Sequence, residues 1–423
     1  MDAGAPMNYV VVARVAGGLS EACLRVGLDA AQARHPALRA RVTEADGELR
    51  FVSEGVGPIP LSVQRGPETL WRSEVEANLV RRYPGQGPLL RAVLCEHEDE
   101  DAVTLLLGTH HVIGDGRSGE CLLRDVLQAA GRALAGESPE LQPLSDMQTM
   151  EDRWPAHTRG FGAWFRRRFF IARVVSQAIR LGRPLLPRVD RPVFAHSRET
   201  RLIPVLLGMA TLARLEQRCR AEATSVHGAL SAALVLAIMD DQQCVKPTTI
   251  GLGIPVNMRA RLDPPVGDMH GYFVSVIPFN TRLDPAVPFW QFARAVKAHV
   301  AKSRKRYDDF AVAGIALSLA RQFGMDTLPP REFVERWEEK MLGTGGLTNM
   351  GRLGLPTNYG ALTLETCHFV FTPSALATFS SSANTFAGRL HWNFMWPDPS
   401  MTEQHANALV RQIMERLEHA IAS

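Results

Sequence analysis

The chain has 423 residues, with 46% hydrophobic and 22% charged side chains and a formal net charge of +3 at pH 7. Such values exclude disordered and fibrous classes, and the length exceeds one ordinary hydrophobic core, so two domains are expected. The near-balanced charge gives no electrostatic reason to bind nucleic acid.

In chain order, NYVVVARV (8–15) is β-rich and reads as a strand. SEACLRVGLDAAQARHP (20–36) has apolar residues at helical spacing, with Ser20 placed to cap the helix and Pro36 to end it. LRARVTEADGELRFVSE (38–54) alternates around Asp46-Gly47, which predicts a hairpin. A helix is predicted over 74–83. Two strands, 88–97 and 101–110, are joined by an acidic turn. After the stretch GTHHVIGDGRSG (108–119), residues 120–134 read as a helix. Residues 159–191 then hold nine arginines and one acidic residue, Asp190, with aromatics interleaved in GFGAWFRRRFF (160–170) and prolines after them. This reads as a helix followed by an interdomain linker. The second half restarts with a strand at 201–207, helices at 209–223 and 225–239, strands at 248–259 and 271–282, and a basic helix at 287–306. Strands at 361–371 and 387–396 and a helix at 402–421 complete the chain.

The six cysteines are scattered and none forms a C-x-x-C pair. Reduced thiols in a cytoplasmic protein fit better than zinc or a disulfide framework. The first residues carry no early positive charge and no long apolar run, so no signal peptide is expected. No run of eighteen apolar residues predicts a transmembrane helix.

GDGRSG (114–119) formally matches G-x-G-x-x-G between a strand and a helix. Two objections count against a dinucleotide site. Asp115 would bring a carboxylate against a pyrophosphate, and no apolar run after the helix supplies the second parallel strand. A phosphate-binding P-loop is excluded for want of G-K-[ST].

The other reading rests on the histidines. A histidine leaving a strand end for a loop stands where catalytic groups commonly sit. Neutral imidazole accepts a proton near pH 7. The sequence has no G-x-S-x-G elbow, and neither histidine has an H-E-x-x-H partner. A base here would therefore activate a nucleophile carried by the substrate. The bland alternative is a structural histidine in a polar turn.

HHVIGDG (110–116) resembles the HHxxxDG signature of the chloramphenicol acetyltransferase-like superfamily. That superfamily includes peptide-synthetase condensation domains and stand-alone polyketide-associated acyltransferases. RHPALRARV (34–42), GPLLRAVL (87–94), TSVHGALSAALVLA (224–237), PVNMRARL (255–262), GYFVSVIPFNTRLDP (271–285) and LTNMGRLG (347–354) are similar to its other elements, in the expected order. The resemblance implies a mixed α/β fold of two lobes in a V, with a tunnel between them. Residues 1–175 would form the first lobe, 176–200 the linker and 201–423 the second lobe.

The resemblance also implies roles. His111 is the general base, and His110 points away into packing or hydrogen bonding. Asp115 invites a triad reading, but the resemblance makes it a structural partner of an arginine, Arg259 first and Arg261 as fallback. Gly116 permits the turn and close packing. Thr348 and Asn349 are candidate oxyanion or substrate contacts, with a plain turn as the alternative. His227 faces either the tunnel or the core. No bound cofactor or metal is implied. Acyl-CoA or a phosphopantetheinyl acyl carrier protein is the co-substrate, and an alcohol or amine is the acceptor.

The arginine-rich segment has three readings. It is a solvated helix face, a docking surface for an acidic carrier protein or the phosphates of coenzyme A, or a peripheral membrane contact through Trp164, Phe165, Phe169 and Phe170. The sequence lacks the DFGWG and S-N-V-P-G-P elements of other branches, and shows GYFVS where condensation domains usually show G-x-F-V-N. These departures favour a stand-alone ester-forming acyltransferase and leave amide formation open. The competing functions are a catalytically silent, carrier-recruiting module and, last, the dinucleotide-binding oxidoreductase.

Overall fold

A computed structural model describes the chain apart from residues 1–5, 46–47, 84, 86, 99–100, 323–327, 330–331, 336–342 and 374–378. Its first half runs β1 (Asn8–Ala16), α1 (Glu21–Arg34), β2 (Arg41–Ala45), β3 (Glu48–Val52), β4 (Leu61–Gly66), α2 (Leu70–Val80), β5 (Leu90–His97), β6 (Val103–His110), α3 (Gly116–Leu134) and α4 (Gly160–Leu181). The second half runs β7 (Glu199–Leu207), α5 (Met209–Ala221), α6 (Val226–Asp241), β8 (Thr248–Asn257), β9 (Val274–Leu283), α7 (Phe289–Lys305) and α8 (Asp308–Gln322). It continues with β10 (Gly345–Arg352), β11 (Asn358–Tyr359), β12 (Leu362–Phe371), β13 (Ser380–Phe386), β14 (Arg389–Asp398) and a last helix, α9 (Glu403–Ala422).

Two six-stranded sheets organise the chain, ordered β11-β12-β1-β6-β5-β4 and β7-β14-β13-β10-β8-β9. The first is antiparallel except for β4 beside β5, and the second has parallel pairs where β10 meets β13 and β8. Ser20 caps α1 by accepting the Cys23 N–H. α1 and α3 cover one face of the first sheet, and Gly27 lets them close: a Cβ there would lie 2.5 Å from the Val126 carbonyl oxygen. In the second lobe α6 is apolar on every side, and Gly228 through Met239 are buried, as a central core helix requires.

The chain does not divide between the sheets at residue 201. β11 and β12 cross back and pair with β1, so residues 358–371 complete the first sheet. The cause is visible in β1, an apolar strand buried on both faces that needs a neighbour on each edge. α4 likewise extends past the expected linker start, to Leu181, and packs on α8 through Phe170, Ala311 and Ile315.

The sheets meet where β12 lies against β13 and β14, and α2 fills the space beside that contact: its Val75 and Leu79 pack with Val10, Val12, Leu106 and Val370 of the first sheet and Leu202 and Met395 of the second. β13 joins them by polar groups. Its Ser382 hydroxyl donates to the Phe369 carbonyl, and its Asn384 amide donates to that of Cys367 at 2.8 Å. At the rim Arg201 reaches Glu76 of α2 at 3.1 Å and Asp398 of β14 at 3.4 Å.

Candidate active site

The histidine loop lies where the two lobes touch. β6 delivers His110 as its last residue. The His111 backbone N–H, one step on, donates to the Met7 carbonyl at 2.8 Å, fixing the exit from the sheet. Because side chains alternate, the two imidazoles part. That of His110 is buried, accepts the Val112 N–H at Nδ1 and meets the Tyr83 ring edge-on. That of His111 is half-buried between Tyr9, at 4.8 Å, and Tyr272, at 5.9 Å. Tyr9 belongs to β1, whereas Tyr272 leads into β9, so each lobe contributes one wall.

His111 Nδ1 lies 3.1 Å from the Gly114 carbonyl oxygen. A carbonyl only accepts, so Nδ1 carries the hydrogen and the neutral ring presents the Nε2 lone pair. Burial holds the imidazole below its usual pKa of 6.5, against opposing contributions from the Gly114 carbonyl and the Asp115 carboxylate. The ring is therefore a neutral acceptor at pH 7.

Asp115 makes no hydrogen bond to His111. It is the N-cap of α3, accepting the Ser118 N–H at 2.8 Å through Oδ1. The cap starts α3 at Gly116, four residues before the predicted 120. Its Oδ2 accepts the Phe273 N–H at 2.9 Å, and Arg259 Nη2 donates to Oδ1 at 3.1 Å. The same guanidinium donates to Ser118 Oγ at 2.8 Å and to the carbonyls of Gly267, at 3.1 Å, and Met269, at 2.7 Å. It also stacks 4.7 Å over the Phe273 ring. Arg261, the fallback partner, pairs instead with Asp309 at 2.9 Å. Ser118, absent from the sequence reading, completes the joint: its hydroxyl donates to the Gly271 carbonyl at 2.7 Å and accepts the Gly271 N–H at 3.0 Å. The only hint of it in the sequence was its position three residues after a capping aspartate. With the helix N-terminus occupied by the protein's own carboxylate, GDGRSG offers no open cradle for a pyrophosphate.

The glycines serve space rather than unusual backbone. Gly116 does not take a positive φ, correcting the expectation that it eases the turn. A Cβ there would come within 2.6 Å of Met350 Sδ on β10. At Gly114 a Cβ would lie 2.6 Å from His270 Nε2 and 2.8 Å from the Tyr9 hydroxyl. His270, also missed, is fully enclosed beside His35, and burial drives its pKa well below 6.5.

Thr348 and Asn349 lie in a strand rather than a turn, paired with Ser382 and Ala383 of β13. Adjacent strand residues face opposite ways, so they cannot act side by side on one atom. Leu347 enters the second-lobe core and Thr348 leaves on the other face, while Asn349 Oδ1 accepts the Gly351 N–H at 2.8 Å. His227 is the second residue of α6, with Nε2 unpartnered, and burial lowers its pKa to about 4. Among the described residues no hydrogen bond or ring contact joins it to His111.

Two sheet-rich lobes, with no closed barrel among the described residues, match the fold of condensation domains. The condensation-domain family model matches residues 2–312, and the chain belongs to that family, whose members form peptide or ester bonds. The chain is 26% identical over 330 residues to the phosphinothricin tripeptide synthetase PhsC of Streptomyces viridochromogenes, covering 73% of this chain and 28% of that protein. It thus spans well under half the length of this curated relative. Among solved structures it resembles polyketide synthase associated protein 5 from Mycobacterium tuberculosis, with a TM-score of 0.69 at 17% identity, covering 97% and 93% of the two chains. It also resembles the first condensation domain of the calcium-dependent antibiotic synthetase, with a TM-score of 0.74 at 13% identity, covering 99% and 92%.

Proposed function

We propose that this protein transfers an acyl group from a thioester to a hydroxyl or amine acceptor, with His111 as general base. The observation that carries the reading is the His111 Nδ1 contact to the Gly114 carbonyl, which leaves Nε2 as a neutral acceptor between the two lobes. The acceptor O–H or N–H gives its proton to Nε2 as the heteroatom attacks the thioester carbonyl. Collapse of the tetrahedral intermediate breaks the C–S bond, and Nε2–H returns the proton to the leaving thiolate. Atoms and charge balance without a further co-reactant. The donor is acyl-CoA or an acyl group on a phosphopantetheinyl carrier protein, and donor and acceptor reach His111 from opposite sides of the lobe junction. Holding both at one imidazole supplies the proximity contribution. Thr348, on the face of β10 opposite Leu347, is the candidate oxyanion donor. The setting is cytoplasmic natural-product or lipid synthesis.

The test measures free-thiol release from a panel of acyl-CoAs and acyl carrier proteins with mixed alcohol and amine acceptors, comparing wild type and His111→Ala. Circular dichroism confirms that both are folded. Turnover in wild type that vanishes in the folded variant supports the reading. Equal background release from both proteins on every donor would favour a silent recruitment module.

A further inference from the structure

α4 is apolar on two faces. Inward, Phe170 and Val174 pack on α8. Outward, Phe161, Phe165 and Phe169 repeat at helical spacing, and Ile179, ten residues on, lies on the same side; Phe161 is 76%, Phe169 71% and Ile179 80% exposed. Trp164 and Val175 widen the strip. Phe161, Trp164 and Phe165 form a ring cluster with centroids 4.8–6.0 Å apart, at the surface rather than in a core. An ordinary surface helix turns its polar side outward, and a contiguous exposed apolar strip marks an interaction site.

Charge identifies the partner. α4 contains five arginines and no acidic residue. Three are used inward, Arg167 over the Trp154 ring at 4.9 Å, Arg173 paired with Asp308 at 2.7 Å and Arg166 donating to the His157 carbonyl. Arg168 and Arg180 are exposed on the strip's side of the helix, and Arg168 stacks 4.8 Å over Trp164. From Phe161 to Ile179 the strip runs roughly 27 Å along a single helix. Protruding aromatic rings edged by arginines on one straight helix suit the interface of a lipid bilayer, where rings enter the headgroup layer and guanidinium groups meet phosphate.

We propose that the outer face of α4 docks this protein on an anionic phospholipid surface. The interaction is peripheral, since no single helix among the described residues is long and apolar enough to cross a membrane. It is independent of the acyl-transfer reading, because no residue of the strip belongs to the histidine loop or its braces.

The test is flotation of the full chain with vesicles of phosphatidylcholine alone and of phosphatidylcholine mixed with phosphatidylglycerol. Wild type should float with the mixed vesicles, and less so at high salt. A triple variant, Phe161→Ser, Phe165→Ser and Phe169→Ser, and separately Arg168→Glu with Arg180→Glu, should each bind about tenfold more weakly. Thioester turnover in the absence of vesicles should stay unchanged in both variants. No flotation of wild type, or equal flotation of all three proteins, overturns the proposal. So does a wild-type dimer that the triple variant dissolves, which would assign the strip to a second copy. An acidic carrier protein that binds wild type and loses the triple variant would likewise overturn it.

Discussion

The joint between Asp115 and Arg259 separates a brace from a catalytic triad, and two substitutions test the difference. Arg259→Met keeps the side-chain stem but removes every guanidinium bond, including those to the Gly267 and Met269 carbonyls. The Asp115 carboxylate is then left buried with only the Ser118 and Phe273 N–H groups. Breaking one side of such a pair costs about 3–5 kcal/mol. Asp115→Asn keeps the cap, but its amide nitrogen would face either the Phe273 N–H or the Ser118 N–H, donor against donor. It also orphans the Arg259 charge, so a loss of similar size is expected. The double variant removes both charges, and the losses should fall short of additive by about 0.5–3 kcal/mol, the coupling expected of touching residues. Urea unfolding followed by circular dichroism reads the stabilities, and turnover across pH reads the catalysis. A brace predicts destabilised variants whose folded fraction keeps the acid limb set by His111. A triad aspartate predicts the reverse, with a rate loss of about 10⁴-fold at unchanged stability. Wild-type stability in Asp115→Asn together with that rate loss would refute the brace.

Burial keeps the His111 imidazole below 6.5. Turnover should therefore be full at neutral pH and fall only as acid protonates Nε2, with the limb of kcat/KM centred below 6.5; a midpoint above 7 would contradict this environment. Tyr272→Ala, which opens one wall to water, should move that limb upward. Gly116→Ala places a methyl against Met350 Sδ, and because the methionine end can swing, the cost should be about 1 kcal/mol, rising for Gly116→Val. Adding Met350→Ala should restore most of the urea midpoint, and failure to do so would show that the glycine serves another purpose.

Elements with periodic apolar residues were legible from the sequence. Ser20 and the spacing after it placed α1, and the alternation around Asp46-Gly47, a dipeptide outside the described residues, placed the pairing of β2 with β3. What escaped was structure whose cause is tertiary. β13 goes unassigned because SSSANTF has no apolar alternation, yet its hydroxyl and amide groups are buried against β12 carbonyls. β4 is short and half-exposed, and its parallel partner lies beyond an intervening helix. At the site, the motif located His111, and family pattern located Arg259 far along the chain. Ser118 and His270 could not be read, since their roles depend on Gly271 and Gly114 arriving from the other side. Thr348 and Asn349 looked like a pair until strand alternation separated them.

The loan of β11 and β12 to the first sheet has a consequence for taking the molecule apart. A fragment ending at residue 312, where the family match stops, would lack the neighbour of β1 and expose the backbone groups that Tyr9 through Ala16 now pair with β12. Such an open edge recruits other strands, so the fragment should aggregate. A peptide spanning residues 355–372, supplied separately, would have the complementary edge and could cap it. Moving this fold into another chain therefore means carrying it through Phe371 at least.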